Sequence, residues 1–213
     1  MRICVADPWR RGAAWLLLAL ASTLWGCAAQ PTQAEVDARS RVRFEDSPEG
    51  ARAILSESIL FEVGKTTFAN AAEPVLDALK PAFAKARGRI IVEGHTDSTG
   101  SDALNKKLSV DRAEKVRGAI VARQVPPNRV EARGLGKDRP RRSPEVSDQD
   151  RQLNRRAEIL FPGETVDTLG GREIEGKVDN VLAQLSKALG QVKDQAKSAY
   201  EQIRDKIKGD RKP

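Results

Sequence analysis

Residues that commonly carry catalysis or bind metals are scarce in this sequence. It contains one histidine and two cysteines in 213 residues, and it has no Gly-x-Ser-x-Gly motif. Nucleophilic catalysis needs a nucleophile beside an oriented base, and a zinc site needs several imidazole or thiolate ligands. The single histidine, His95, lies close to Asp97, but the chain offers no second histidine or free cysteine to work with it. We interpret His95 as a hydrogen-bonding brace in a turn, and we expect no enzymatic activity, metal or cofactor.

Aromatic residues are also few, at 4% of the chain, so a buried core must be built from leucine, isoleucine, valine and alanine. Charged residues make up 31%, and the formal net charge is +7. The basic residues are interleaved with acids and are not clustered with aromatics, which argues against nucleic-acid binding. A mild positive excess of this kind suits an anionic surface of a cell envelope.

The apolar run near the start of the chain, residues 13–20, is too short to cross a bilayer. Arg10 and Arg11 precede this run, and the sequence Leu24-Trp25-Gly26-Cys27 follows it. A basic segment, a short apolar segment and small residues before a break are typical of a secretory signal peptide. We therefore expect residues 1–26 to be a signal peptide.

The four residues from Leu24 to Cys27 resemble a lipobox, at which a bacterial lipoprotein is acylated with lipids such as palmitate and cleaved before the cysteine. Trp25 departs from the smaller residue that is usual at its position. The resemblance implies lipidation of Cys27, and Ala28 implies transfer to the outer membrane, facing the periplasm. Cys4 lies within the signal peptide, so the mature chain would form no internal disulfide. The alternative is an ordinary cleaved signal with an incidental cysteine.

Residues 27–51 are polar and have no sustained period, which predicts a flexible tether that reaches at most about 80 Å. From residue 52 to 161 strand-like and helix-like segments alternate. We expect strands at residues 52–55 and 58–61, 89–93, 129–133 and 155–161, and helices at 70–83, split by Pro81, and at 102–123. This β-α-β-α-β-β order predicts an α/β fold, an α+β sandwich with helices on one face of a mixed sheet. The charged loop at 137–150 is either a solvated excursion or an anion-binding lip.

The helix at 102–123 carries polar residues on the face that should point inward. Its apolar residues define an inward arc, and Asn105, Ser109 and Arg112 fall in the middle of that arc. A guanidinium facing inward costs several kcal/mol unless it meets a carboxylate. The nearest candidate is Asp97, in the turn that leads into the helix. The pair suits a ligand with both an ammonium and a carboxylate, which Asp97 and Arg112 would hold respectively. A buried salt bridge that only pins the turn to the helix is the alternative.

A set of motifs in this region is long enough to identify a family. The set comprises Gly94-His95-Thr96-Asp97-Ser98-Thr99-Gly100, Asn105, Leu108-Ser109, Arg112-Ala113, Val116, Gly134-Leu135-Gly136 and Asn154-Arg155-Arg156-Ala157-Glu158-Ile159. It resembles the OmpA-like peptidoglycan-binding domain, in a Pal-like lipoprotein architecture with an added C-terminal helix. The resemblance implies a βαβα-ββ domain at residues 52–161 that binds diaminopimelate in the peptide stem of the cell wall. It implies ligand contacts from Asp97 and Arg112, cleft positions for Thr96, Thr99 and Asn105, and a supporting role for Arg155.

Beyond this domain we expect a linker at residues 162–172, an amphipathic helix at 173–208 and a short tail at 209–213. Apolar residues of the helix repeat every seven positions in two series, 178, 185, 192, 199 and 182, 189, 196, 203. The helix either packs on its own domain, forms a coiled coil with itself or a protein partner, or lies on a membrane surface. The sequence thus predicts an outer-membrane lipoprotein that tethers the membrane to peptidoglycan. The alternative is an assembly protein that recruits partners through this helix, with wall binding as a localiser.

Overall fold

The computed structural model describes residues 42–62 and 64–209. Their centre is a five-stranded sheet in the order β1-β2-β5-β3-β4. β3 and β4 are parallel, and the other neighbouring pairs are antiparallel. The strands are β1 (Arg43–Ser47), β2 (Gly50–Ser56), β3 (Ile90–His95), β4 (Val130–Gly136) and β5 (Arg156–Pro162). The sheet is therefore mixed, as predicted.

Helices connect and flank the strands. They are α1 (Glu57–Leu60), α2 (Ala72–Ala78), α3 (Lys80–Lys85), α4 (Asp102–Ala122), α5 (Asp148–Asn154), α6 (Val166–Leu169) and α7 (Gly171–Gly209), with a 3-10 turn at Pro127–Arg129. The split that Pro81 predicts is present, because α2 ends before it and α3 has it in its first turn. From β2 onward the main elements follow the predicted β-α-β-α-β-β order, with the short α5 added before β5.

Alternation along the strands places one apolar face of the sheet against the helices. Ala53 and Leu55 of β2, Val92 of β3, and Ile159 and Phe161 of β5 are buried in one hydrophobic cluster. The same cluster contains three residues of the inward arc of α4, namely Ala113, Val116 and Ile120. Each large aliphatic or aromatic side chain buried in this way contributes about 1.5–3 kcal/mol. The packing fixes the rotation of α4 about its axis, and hence the direction of its polar inward residues.

Two glycines let the backbone of α4 lie directly on the sheet. A β-carbon on Gly94 would come within 2.2 Å of the Ser109 carbonyl oxygen. One on Gly134 would come within 2.4 Å of the Val110 backbone nitrogen. Any other residue at these positions would push the helix off β3 and β4, so the two glycines set the depth at which α4 sits.

The predicted boundary at residue 52 is wrong, because part of the expected tether is folded. Val42 and Phe44 are buried, and β1 pairs with β2 from Arg43 to Ser47. The predicted linker at 162–172 is also wrong, since it contains α6 with Val166 and Leu169 buried. These two segments stabilise each other: the amide of Val166 donates to the Asp46 carboxylate at 2.8 Å. Their pairing spans 120 residues, so neither segment shows it in its own local pattern.

Two local predictions are also corrected. Residues 58–60 belong to the helical turn α1 and not to a strand, because Ile59 and Leu60 turn into the core immediately after β2 ends. The loop predicted at 137–150 ends in α5, whose first turn is closed by a capping box between Ser147 and Asp150. The signal peptide, Cys27, residues 28–41 and the tail at 210–213 lie outside the described residues.

The long C-terminal helix is confirmed, and its first part packs on the domain. Ile174 and Val178 of α7 are buried in the core, and Leu182 packs against it. Farther along, Leu189 and Val192 are 60% and 62% exposed. The predicted seam is therefore covered by the domain at its start and uncovered from about residue 186. No helix among residues 42–62 and 64–209 is long and apolar enough to cross a membrane.

Candidate ligand-binding site

A cavity of about 400 Å³ opens where the turn after β3 meets the start of α4. Its walls come from α1, the segment after α1, the turn at 96–100, the first half of α4 and the junction of α5 with β5. The lining residues are Glu57, Ser58, Phe61, Gly64, Thr96, Asp97, Thr99, Gly100, Leu104, Asn105, Leu108, Arg112, Gln152 and Arg155. All six predicted site residues are among them. These residues span positions 96 to 155 in the sequence, and the pairing of β3 with β5 brings the two ends of this range together.

Arg112 points inward from α4, as its position on the helix predicts, and is 4% exposed. Its Nη2 donates hydrogen bonds to the Glu57 carboxylate and to the Lys65 carbonyl oxygen, the latter at 3.2 Å. The guanidinium lies over the Phe61 ring, 5.3 Å from the centroid. Its Nε is buried and has no hydrogen-bond partner among the described residues. The guanidinium is thus held in place while its buried Nε donor is left without a partner among the described residues.

Asp97 is held by its own turn and by Arg155. The Thr99 amide donates to its Oδ1 at 3.0 Å, the Thr99 hydroxyl donates to the same oxygen, and Arg155 Nη1 donates to Oδ2 at 2.7 Å. Burial acts to raise the pKa of Asp97, but the hydrogen bonds from Thr99 and Arg155 outweigh it and hold the pKa below its usual value. Asp97 is therefore a fixed negative charge at neutral pH.

Glu57 joins the two predicted residues, and sequence reasoning missed it. Its Oε1 accepts from Arg112, and its Oε2 lies 2.9 Å from Arg155 Nε. Because Arg155 also binds Asp97, the four side chains form an alternating series, Arg112, Glu57, Arg155 and Asp97. The alternative of a direct salt bridge between Asp97 and Arg112 does not hold, because within the described part of the chain this longer series takes its place. Two positive and two negative charges make the series neutral as a whole.

Asn105 and Ser109, the other polar residues of the inward arc, brace the walls. The Asn105 side-chain amide donates to the Thr99 carbonyl oxygen at 2.8 Å, which fixes the turn that carries Asp97. The Ser109 hydroxyl accepts from the Gly136 amide at 2.9 Å and donates to the Lys106 carbonyl oxygen. Ser109 therefore joins α4 to β4 and does not line the cavity. Its burial is explained by the fold and not by a ligand.

Thr96 lines the cavity beside Asp97. Its amide donates to the Gly136 carbonyl oxygen at 2.9 Å, which continues the pairing of β3 with β4. Its hydroxyl is buried and has no hydrogen-bond partner among the described residues. A buried hydroxyl without a partner costs about 1–3 kcal/mol. Together with Nε of Arg112, it gives the cavity two polar atoms that a ligand could satisfy.

The loop at 137–147 supports the site from behind. Glu145 accepts from the Ser98 amide at 3.0 Å and from the Ser98 hydroxyl at 2.5 Å, next to Asp97. Asn154 accepts from the amides of Arg141 and Arg142 at 2.7 and 2.9 Å, which ties the loop to the end of α5. The loop is thus exposed over most of its length, as a solvated excursion would be, and it does not line the cavity. It holds the Asp97 turn.

His95 does not belong to the cavity, and its predicted role as a hydrogen-bonding brace is wrong. It is 2% exposed at the end of β3, and neither ring nitrogen has a hydrogen-bond partner among the described residues. Burial and the positive charge of Arg156 lower the pKa of His95 to about 3, so the ring is neutral at physiological pH. Its position on the sheet explains the difference, since β3 extends through residue 95 and the turn begins after it.

A possible metal-ligand group lies around His95. Among the described residues, ligand atoms of Glu93, His95 and Glu158 lie within 4.8 Å of one another. Arg52 Nη1 is 2.7 Å from both carboxylates, and Arg156 Nε is 2.6 Å from Glu158. The two guanidinium groups already neutralise the two acids, and a divalent cation would have to approach both of them. We interpret the group as an ion-pair network on the second face of the sheet.

Comparison with known proteins places the described fold in a family. Residues 60–155 match the model of the OmpA family. Outer membrane protein A of Bordetella avium is 34% identical over 118 residues, which are 55% of this chain and 60% of that protein. The photosystem I P700 chlorophyll a apoprotein A2 of Gloeobacter violaceus is 35% identical over 134 residues, 60% of this chain but 15% of that protein. The chain thus spans less than two thirds of either relative.

A solved structure gives the same result for the fold. The cell wall anchor of the T6SS from Pseudomonas aeruginosa superposes with a TM-score of 0.52 at 27% sequence identity, over 61% of this chain and 92% of that one. The matched segment contains both glycines on which α4 packs and the cavity-lining residues from Phe61 to Arg155, whereas Glu57 and Ser58 lie just before it. Residues 60–155 of this chain therefore form a domain of the OmpA family.

Proposed function

We propose that this protein is an outer-membrane lipoprotein that binds peptidoglycan noncovalently and tethers the membrane to the cell wall. The ligand is the diaminopimelate of the stem peptide, held by Asp97 and Arg112. The observation that carries the proposal is one cavity in which these two residues, both fixed by other side chains, stand beside buried polar atoms without partners. The likeness to a protein described as a cell wall anchor supports it.

The chemistry of the cavity fits an amino-acid group with both charges. A carboxylate is bound best by the planar donors of a guanidinium, and an ammonium by a carboxylate that remains ionised. Arg112 and Asp97 supply these, and the neutral series of four charges favours a ligand without net charge over an anion or a cation. Each oxygen of Asp97 has two lone pairs, so the existing bonds to Thr99 and Arg155 leave room for an ammonium.

Binding without catalysis is the function proposed for this cavity. General base catalysis needs a side chain whose pKa lies near the working pH. The pKa of Asp97 is held low, and His95 lies outside the cavity. Intact muropeptides recovered after incubation with the protein would support binding alone.

The membrane half of the proposal rests on Cys27 and its lipid. Val42, which is buried in the core, lies 15 positions after Cys27, so the distance between them is at most about 50 Å. Metabolic labelling with a palmitate analogue tests this half: wild type should be labelled in membranes, and Cys27→Ser should not. A labelled Cys27→Ser variant would contradict the proposed anchor.

The direct test of wall binding is co-sedimentation with purified sacculi. Wild type should sediment with the sacculi, and Asp97→Ala and Arg112→Ala should stay in the supernatant. Circular dichroism must show that both variants remain folded. If both folded variants still sediment like wild type, the proposed site is wrong.

A second candidate function, assembly through α7, is favoured by one observation. Leu189 and Val192 are more than half exposed although they belong to a seven-residue apolar repeat. Such a repeat is typical of helices that pair with each other, and we take a second copy of this chain as the partner. Sedimentation velocity of wild type and of Leu189→Glu separates the candidates. A wild-type dimer that the substitution dissociates supports assembly, and a wild-type monomer removes it.

A further inference from the structure

We infer that Glu57 fills the carboxylate position of Arg112 in the unliganded protein, and that a ligand must displace it to bind. The inference rests on the proposed function, since it concerns the same cavity. It makes Glu57 a specificity-determining residue, because Glu57 selects ligands with a free carboxylate that can take its place.

The contact between Glu57 and Arg112 is well shielded from water. The side chain of Arg112 is 5% exposed and that of Glu57 is 13% exposed. Among the described residues, Glu57 is the one carboxylate that pairs with Arg112. An arginine buried to this degree needs a counter-charge, and Glu57 supplies it.

Glu57 accepts a hydrogen bond from only one of the two nitrogens with which an arginine binds a carboxylate side-on. Nε and Nη2 lie on the same edge of the guanidinium and can grip both oxygens of one carboxylate in parallel. Nη2 donates to Glu57, whereas Nε has no hydrogen-bond partner in the described part of the chain. A ligand carboxylate placed against the whole edge would satisfy both donors. The ligand therefore gains a hydrogen bond that Glu57 does not make.

After displacement from Arg112, the Glu57 carboxylate still has a positively charged partner. Its second oxygen, Oε2, lies 2.9 Å from Arg155 Nε, and Arg155 is also held by Asp97 at 2.7 Å. When Oε1 leaves Arg112, the bond from Oε2 to Arg155 can remain. Release therefore needs only a small rotation of one side chain on the four-residue helix α1.

The same geometry predicts which ligands are favoured. A ligand carboxylate replaces one charge-assisted hydrogen bond by two, whereas a carboxamide offers Arg112 no negative charge in exchange for Glu57. We therefore expect stems with a free diaminopimelate carboxylate to bind more tightly than stems amidated at that position. The internal competitor enlarges this difference.

The first experiment measures affinity by calorimetric titration with a soluble stem peptide that contains diaminopimelate with a free side-chain carboxylate. Glu57→Gln keeps the size and an acceptor oxygen but removes the competing charge, and it should bind about tenfold more tightly than wild type. The matched control is Glu62→Gln, a nearby exposed glutamate that pairs with Lys65, and its affinity should not change. Unchanged or weaker binding by folded Glu57→Gln would overturn the inference and indicate that Glu57 helps to hold the ligand.

A second experiment does not depend on peptidoglycan. Glu57→Ala leaves Arg112 without its carboxylate, and sodium formate should raise the melting temperature of this variant more than that of wild type or Glu62→Ala, with sodium chloride as the ionic-strength control. Equal shifts in the three proteins would overturn the inference. If wild type binds no stem peptide but formate selectively stabilises Glu57→Ala, the proposed function fails while the role of Glu57 stands.

Discussion

Asp97 and Arg112 line one cavity, but each is paired with a different partner. Asp97 binds Arg155, and Arg112 binds Glu57, whose second oxygen returns to Arg155. The two residues thus have different direct partners and lie on different elements, Asp97 in the turn after β3 and Arg112 on α4. Their separation leaves space for a ligand between them, which a direct salt bridge would have closed.

Arg112→Lys tests whether the guanidinium edge matters beyond its charge. Lysine keeps the positive charge but cannot present Nε and Nη2 together, so binding to sacculi should weaken by about a hundredfold. Arg117→Lys is the matched control on the same helix, because Arg117 donates to the backbone carbonyl of Val130 at 2.8 Å and does not line the cavity. Equal binding by both variants would contradict the role given to Arg112.

Asp97→Asn should reduce stability in a pH-dependent manner. The pKa of Asp97 is lower in the folded protein than its usual value, so ionised Asp97 stabilises the fold above the unfolded pKa of about 3.9. This stabilisation is lost as the pH falls through the lower folded pKa. Urea denaturation should show wild type more stable than Asp97→Asn by about 1–2 kcal/mol from pH 7 to about 4.5.

The difference between the two proteins should then shrink below about pH 4, where Asp97 in the unfolded chain becomes protonated. Other acids do not contribute to this difference, because they are present in both proteins. One of them is Glu158, whose pKa is also lowered although its burial acts to raise it. A difference that closes between pH 5 and 6 would mean that the Asp97 pKa is raised and that its hydrogen bonds are weaker than the structure indicates.

Gly94→Ala and Gly118→Ala should have opposite effects on stability. The new methyl at 94 would lie 2.2 Å from the Ser109 carbonyl oxygen, so α4 must move, at a cost of about 2–3 kcal/mol. Gly118 lies within α4 and nothing is within 4 Å of its added β-carbon. Alanine there should stabilise the helix by about 0.5–1 kcal/mol. Thermal denaturation should show a lower melting temperature for Gly94→Ala and a higher one for Gly118→Ala. An unchanged melting temperature for Gly94→Ala would show that α4 and β3 are not in contact.

Truncation should divide α7 into a structural part and a dispensable part. Removing residues 187–213 deletes the exposed region and should leave the free energy of unfolding within about 0.5 kcal/mol of wild type. Removing residues 170–213 also deletes Ile174 and Val178, which are buried, and should cost at least about 3 kcal/mol. A large loss after the shorter truncation would mean that the distal part of α7 also packs on the chain.

The site residues that could be predicted from the sequence are those on the regular helical repeat of α4. Asn105, Ser109 and Arg112 stand out because α4 is long and its apolar arc is well defined, so a polar residue within the arc is visible. The apolar arc does not extend to the first turn of α4, where Leu104 is 59% exposed at the rim of the cavity.

Contacts that depend on distant pairing were not predictable in the same way. Glu57 lies on a single helical turn with no period of its own, and its partner Arg112 is 55 residues away. β1 is a short, charged edge strand whose burial depends on Phe44, and the Phe44 amide donates to Glu175 of α7. Neither feature carries a local signal, because each exists only after the sheet has formed.

The most direct test of the account is a nuclear magnetic resonance titration of the protein with a stem peptide that contains diaminopimelate, observing the arginine Nε–H signals. The Nε–H of Arg112 has no acceptor among the described residues, whereas that of Arg117 already donates to Val130. We expect a saturable downfield shift of the Arg112 signal, with the Arg117 signal unchanged. A titration that saturates at other residues and leaves the Arg112 signal in place would contradict the proposed site.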